Sequence, residues 1–196
     1  LPGNGTIPAV SSRRIMLAKH AGMAIMDLVE KNITARQIIN PRSIKNALAC
    51  DMALGCSSNS VLHLLAIANE AGVPMSMTTF NEMSERVPNL CHLAPAGPTH
   101  IEDLDRAGGV PAVQSELLKA GLIDPDALTV TGRTLGENIA GAHVKDNGSI
   151  RPIDDPYSKT GGTQILWGNI AQNGCVVKRS AVAPEMLVHT GPARVF

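Results

Sequence analysis

Several groups of residues in this 196-residue chain have types and spacings that could do chemistry. Gly55-Cys56-Ser57-Ser58-Asn59-Ser60 places hydroxyls and an amide just before a helix. Free backbone N–H groups and the positive end of the dipole could hold a carboxylate or phosphate there. The structural alternative is a plain helix start, with small residues allowing close helix contact. Cys91-His92 with His100 could suggest a metal site, or even a Cys/His metal hydrolase. Zinc, however, needs three or four ligands converging within about 2.3 Å of one point. Adjacent residues seldom aim at one ion, and Pro95 and Pro98 stiffen the loop. Glu102, Asp103 and Asp105 could do acid/base work or hold magnesium. At a helix start they equally favour the dipole, and that reading is preferred. Gly3-Asn4-Gly5-Thr6 resembles a phosphate loop only faintly, because no G-K-[ST] follows. His63, on an apolar helix, reads as a satisfied core histidine.

The background is aliphatic. Hydrophobic residues make up 44% of the chain and aromatics only 2%, so the core is filled by Leu, Ile, Val and Met, and stacking platforms for bases are disfavoured. Seventeen basic residues balance seventeen acidic ones, giving no electrostatic reason for a nucleic-acid or membrane-surface partner. No apolar run approaches the roughly 20 residues that span a bilayer. Cys50, Cys56, Cys91 and Cys175 match neither zinc-pair nor C-x-x-C spacing and are expected reduced. The chain opens at Leu1 without an initiator Met or signal peptide and stops at Phe196, so it reads as an internal stretch.

The elements that must position these residues follow from periodicity. Ser11 or Ser12 caps a helix to about Lys31, with Ile15, Ala18, Gly22, Ile25, Met26 and Val29 as its expected buried stripe. Thr34 caps a short turn ending at Asn40-Pro41. A helix over Ser43–Leu54 closes on Gly55. Residues 61–68 are apolar almost all round, as in a core or interface helix. Thr78 or Thr79 caps the next helix, with Glu82 completing a capping box, and Pro88 breaks it. Residues 91–100 are irregular, 101–107 helical, and Pro111 lies in the first turn of a helix to Ala120. Thr129-Val130-Thr131 reads as β-like, and Thr134 starts a helix to about Ile139. Residues 143–162 carry a linker composition. Gln164–Trp167 and Cys175–Lys178 read as strands of a hairpin turning at Gln172-Asn173-Gly174. Ala193–Phe196 reads as one more strand. The expected class is α/β: residues 1–150 as the latter part of a helix-rich domain, 151–162 as a linker, and 163–196 as the opening strands of a second, β domain.

Beyond composition and spacing, the wording of several segments resembles one family. They are Leu1–Thr6, Asp51–Leu64, Pro88–Pro95, Ile101–Gly109, Pro156–Gly162 and Gly168–Lys178. In order and spacing they resemble the dihydroxy-acid and phosphogluconate dehydratases, over essentially the whole chain. The wording around 89–97 and 151–162 is closest to the branched-chain amino-acid enzymes of valine and isoleucine biosynthesis. Phosphogluconate and sugar-acid (arabinonate or xylonate) dehydratases are the runner-up, and a non-catalytic structural or dimerisation module is a further alternative.

The resemblance implies loss of water from a 2,3-dihydroxy acid to give a 2-keto acid. The C2 proton is weakly acidic, so a positioned base is needed, and hydroxide leaves C3 poorly, so a Lewis acid must take it. In the family an iron–sulfur cluster, of the 2Fe-2S or a related type, is held by three thiolates. Magnesium is held by carboxylates and a modified lysine, and a serine alkoxide is the base. The cluster cysteines and the lysine precede the segment matching Leu1; the serine and a late glutamate follow that matching Phe196. No catalytic, cofactor-binding or metal residue is therefore carried over onto this chain, and it is expected to bind no cofactor alone. Cys91 and Cys175 match family cysteines that are not ligands, and Cys56 stands where relatives often have glycine. The resemblance also implies a cytoplasmic homodimer with a β-barrel-like C-terminal domain and a small-molecule dihydroxy acid as partner.

Overall fold

The computed structural model describes residues 1–192 and Arg194. Eight helices precede one short hairpin among these residues: α1 (Ser12–Glu30), α2 (Ala35–Ile38), α3 (Pro41–Leu54), α4 (Asn59–Ala71), α5 (Met77–Arg86), α6 (Ile101–Arg106), α7 (Gly109–Lys119), α8 (Leu135–Ile139), β1 (Gln164–Leu166) and β2 (Cys175–Val177). The chain is thus helix-rich with a small two-stranded antiparallel sheet. The tail expected as a strand, 193–196, lies outside the described residues except for Arg194.

α3 is the axis of the core. Asn40 caps it by accepting from Arg42 and Ser43 N–H, and Pro41 occupies the first turn. Its start therefore precedes the expected Ser43. Ile44, Leu48 and Met52 recur at helical spacing and are buried. Helices α4, α5 and α7 pack around it, and Phe80, Leu90, Leu104, Leu117, Ile150 and Ile165 complete one continuous core. Each such fully buried side chain contributes about 1.5–3 kcal/mol. Because Ile150 and Ile165 belong to this core, the hairpin and the segment before it are seated on the helices.

Two asparagines lock loops to this body. Asn46 donates to Asp124 O and accepts from Asp124 N, both at 2.8 Å. Asn81 does the same for Ile165, at 2.8 and 2.7 Å. Asn81 thus acts as a one-residue neighbour for β1 on the edge that β2 leaves open, which satisfies groups that would otherwise invite strand pairing.

The structure corrects several expectations. α1 follows its expected boundaries, capped by Ser11, but the expected stripe is on its exposed side. Ile15 is 76% exposed and Val29 66%, with Ile25 and Met26 also exposed. Arg14, Leu17, Ala21, Ala24 and Leu28 face the body instead. Both rows have helical spacing, so periodicity alone could not choose between them. α4 buries Val61 and Ala68 but leaves Leu62 and Ile67 exposed, and His63 is exposed rather than a core histidine. α5 is capped by Ser76 with Thr79 in the box, not by Thr78 or Thr79 with Glu82. Residues 129–131 form no strand; Thr129 and Asn138 side chains bond within the loop, and Leu128 bridges Thr134.

The stretch 151–162 carries no helix or strand, yet it is inlaid. Arg151 N–H donates to Leu90 O (2.9 Å), Asn89 N–H to Ser158 O (2.9 Å), Gly161 N–H to Ser84 O (2.7 Å) and Gly162 N–H to Met52 O (3.0 Å). The backbone makes these bonds, while Asp154, Asp155 and Lys159 stay exposed.

Candidate functional site

The C-terminal end of α3 is where the sequence segments converge. Gly55 closes the helix at φ 63°, ψ 55°, a conformation that favours glycine. The last carbonyls of a helix lack intrahelical donors. Here Asp51 O accepts from Gly55 and Cys56 N–H, and Met52 O from Gly162 N–H. Ala53 O accepts from Leu90 and Cys91 N–H and from Asn89 Nδ2. Lys178 Nζ, from the residue after β2, donates to Gly55 O at 2.9 Å. A cation at this end also complements the negative pole of the helix dipole.

The backbones meet without side chains between them. A Cβ on Gly162 would lie 2.4 Å from Gly55 Cα, and one on Gly161 would lie 2.7 Å from Met52 Sδ. Beside this contact is Asp51, 4% exposed. Neither of its carboxylate oxygens has a partner in hydrogen-bonding geometry. Burial pushes its pKa up; Ser60, Cys56 and Lys178 nearby pull the other way but do not prevail. Thr163 Oγ1 and Ser180 Oγ are also buried without a partner.

On the outer side of the seam is a cleft of about 380 Å³. Its polar wall comes from Asn89, His92, Tyr157, Ser158, Arg179 and Ser180, and its apolar wall from Val182, Pro184 and Leu187. His92 Nε2 lies 3.2 Å from Ser180 O, so the ring donates there. Its face tilts against Tyr157 at 5.1 Å, and Arg151 covers the same tyrosine at 5.1 Å. Tyr157 Oη donates to Gly148 O at 2.9 Å.

The candidates singled out from sequence are mostly spent on structure. In 55–60, Ser57 Oγ accepts from Asn59 N–H and Ser60 Oγ donates to Ser57 O, an ordinary helix start. Cys91, His92 and His100 do not converge: Cys91 is buried, His92 serves Ser180, and His100 precedes α6. Asp103 accepts from His100 N–H and from Arg106. For Asp105, burial raises the pKa, but bonds from Thr6 (2.8 Å) and Arg13 (3.0 Å) outweigh it and hold the carboxyl below its ordinary value. Gly3–Thr6 is tied down by the same Thr6–Asp105 bond. Asp51, Lys178 and the cleft were not singled out. Asp51 was findable, since it sits three residues after Leu48 and seven after Ile44, on the buried face of α3.

An iron–sulfur cluster needs convergent thiolates. Among the described residues no three His, Cys, Asp or Glu side chains group as metal ligands. Burial pushes the Cys50 thiol up to about 11 and Cys91 to about 12, and raises Cys56 as well. These residues do not fit such a cluster or a carboxylate-held magnesium, and no chemical step is derived through either. No helix among the described residues is long and apolar enough to cross a membrane.

Comparison with known proteins places this architecture. The family model "Dihydroxy-acid/6-phosphogluconate dehydratase N-terminal" matches residues 1–138, and its C-terminal counterpart matches 148–196. Proteins named dihydroxy-acid dehydratase are similar over all 196 residues: 65% identical in Caldanaerobacter subterraneus subsp. tengcongensis, 64% in Lachnospira eligens and 62% in Acetivibrio thermocellus. The match covers 100% of this chain and 35% of each relative's length. The chain therefore belongs to the dihydroxy-acid/6-phosphogluconate dehydratase family.

Proposed function

We propose that this chain is an internal part of a hydro-lyase that converts 2,3-dihydroxy carboxylic acids to 2-keto acids in branched-chain amino-acid biosynthesis. The supporting observation is similarity at 62–65% identity, along its whole length, to relatives bearing the name dihydroxy-acid dehydratase. In this reading residues 1–150 are the latter part of an α/β domain, 151–162 the connection, and 163–196 the start of a β-barrel-like domain. The seam at Gly55, Gly162 and Lys178 is then the joint between the two. Its contribution is positional: it fixes one domain's opening hairpin on the other's core. The iron–sulfur cluster, magnesium and base of the whole enzyme are assigned to segments other than this one. The whole enzyme is proposed as a cytoplasmic homodimer. The exposed Ile15, Val29 and Leu62 supply apolar surface for such contacts.

Purified full-length protein, prepared without oxygen, tests the reading. The expected result is 2-keto acid from 2,3-dihydroxy-3-methylbutanoate, with much slower turnover of 6-phosphogluconate and of sugar acids. Preference for 6-phosphogluconate would replace the reading with that of its sister enzymes.

A further inference from the structure

The cleft at the seam holds groups that a purely positional role leaves unused. Arg179 takes part in no salt bridge among the described residues. Its only side-chain hydrogen bond there is a long one, 3.5 Å to Gln164 Oε1. Among the described residues no Asp or Glu lines the cleft. Of the acids on neighbouring segments, Asp51 is buried, Glu185 is exposed, and Asp155, two residues before Tyr157, is paired with Arg151 at 2.7 Å. Three branched or cyclic aliphatic side chains, Val182, Pro184 and Leu187, line the same cleft.

This division of chemistry selects a ligand class. A guanidinium free of carboxylates presents a planar fork that matches a carboxylate. An aliphatic wall rewards alkyl groups and penalises hydroxyls that would lose water without gaining partners. A volume of about 380 Å³ is that of a small-molecule site. We infer that this cleft is a binding subsite for a small monocarboxylic acid with a short branched alkyl group, its carboxylate on Arg179 and its alkyl group against Val182, Pro184 and Leu187. The identity of the acid, a branched dihydroxy acid or its keto product, rests on the proposed function. The same wall would make the cleft a specificity element against polyhydroxylated acids.

The test uses the full-length protein and two probes, 3-methyl-2-oxobutanoate and gluconate, with affinities measured by calorimetry. Wild type should bind the branched acid and prefer it to gluconate. R179M should weaken that binding at least tenfold, with R179K in between, and in turnover raise KM more than it lowers kcat. The double variant V182S/L187S should erase the preference over gluconate while keeping binding of the carboxylate. Unchanged affinity in R179M, or no binding of either acid by wild type, overturns the subsite. Dihydroxy-acid turnover by wild type reads the proposed function separately. An inactive protein whose branched-acid binding still depends on Arg179 sinks the function and keeps the subsite. An active one indifferent to R179M does the reverse.

Discussion

Replacing Gly162 with alanine should loosen the seam more than any other single methyl addition nearby. The added Cβ would sit 2.4 Å from Gly55 Cα and 3.3 Å from Gly55 N. Carbon atoms in ordinary contact are about 3.5–4.0 Å apart, so the two backbones must separate by about 1 Å. Neither partner is a flexible side chain that can turn aside. Three hydrogen bonds hold the strap there: Gly161 N–H to Ser84 O at 2.7 Å, Gly162 N–H to Met52 O at 3.0 Å, and Ser180 N–H to Gly162 O at 3.1 Å. Separation by about 1 Å takes at least the last two past useful hydrogen-bond length. At about 0.5–1.5 kcal/mol each, losing those two costs about 1–3 kcal/mol. Gly168 is the control, since a Cβ there meets nothing within 4 Å. Urea unfolding of the full-length protein, G162A beside G168A, reads the difference. Equal midpoints would refute the idea that backbone contact at Gly55–Gly162 seats the hairpin.

Two further outcomes follow from buried ionisable groups. Because burial raises the Asp51 pKa in the fold, its stabilising effect is complete below the unfolded value of about 3.9 and is lost as pH rises through the folded pKa. D51N should therefore lose less stability than wild type between acid and neutral pH in denaturant titrations; a steeper loss in D51N would mean that Lys178 stabilises an ionised Asp51. Iodoacetamide should label exposed Cys175 first and spare Cys50 and Cys91, whose buried thiols are pushed up to about 11 and about 12, until denaturant is added; early labelling of Cys91, read by peptide mass, would contradict its burial.

Local rules were legible where one residue type decides the outcome. Ser11 and Thr34 start helices and Gly55 ends α3 as their chemistry requires, whereas the hairpin reverses over the longer loop 167–174, in which Gln172 and Asn173 form only the last turn, closed by Gly174 N–H on Ala171 O. The failures came where two solutions share one pattern. α1 has two rows of helical spacing, and only the tertiary contacts of Leu17 and Leu28 decide which is inside. Ser76, Thr78 and Thr79 are all competent caps, and the extended backbone at Ser76 settles the choice. The polar run 143–162 reads as solvated because composition does not reveal that its N–H groups bond to α3 and α5 carbonyls. The cleft was illegible for the same reason: His92, Tyr157 and Arg179 are far apart in sequence, and the inlaid strap is what brings them together.

The most direct measurement of the central claim, that this chain is scaffold for chemistry held elsewhere, is anaerobic reconstitution of residues 1–196 alone with ferrous iron and sulfide. Iron and labile sulfide per chain, with the visible spectrum, should stay at background, and no dihydroxy acid should be dehydrated. Stoichiometric iron with a cluster spectrum and keto-acid formation would place the reacting groups inside this chain and contradict the claim.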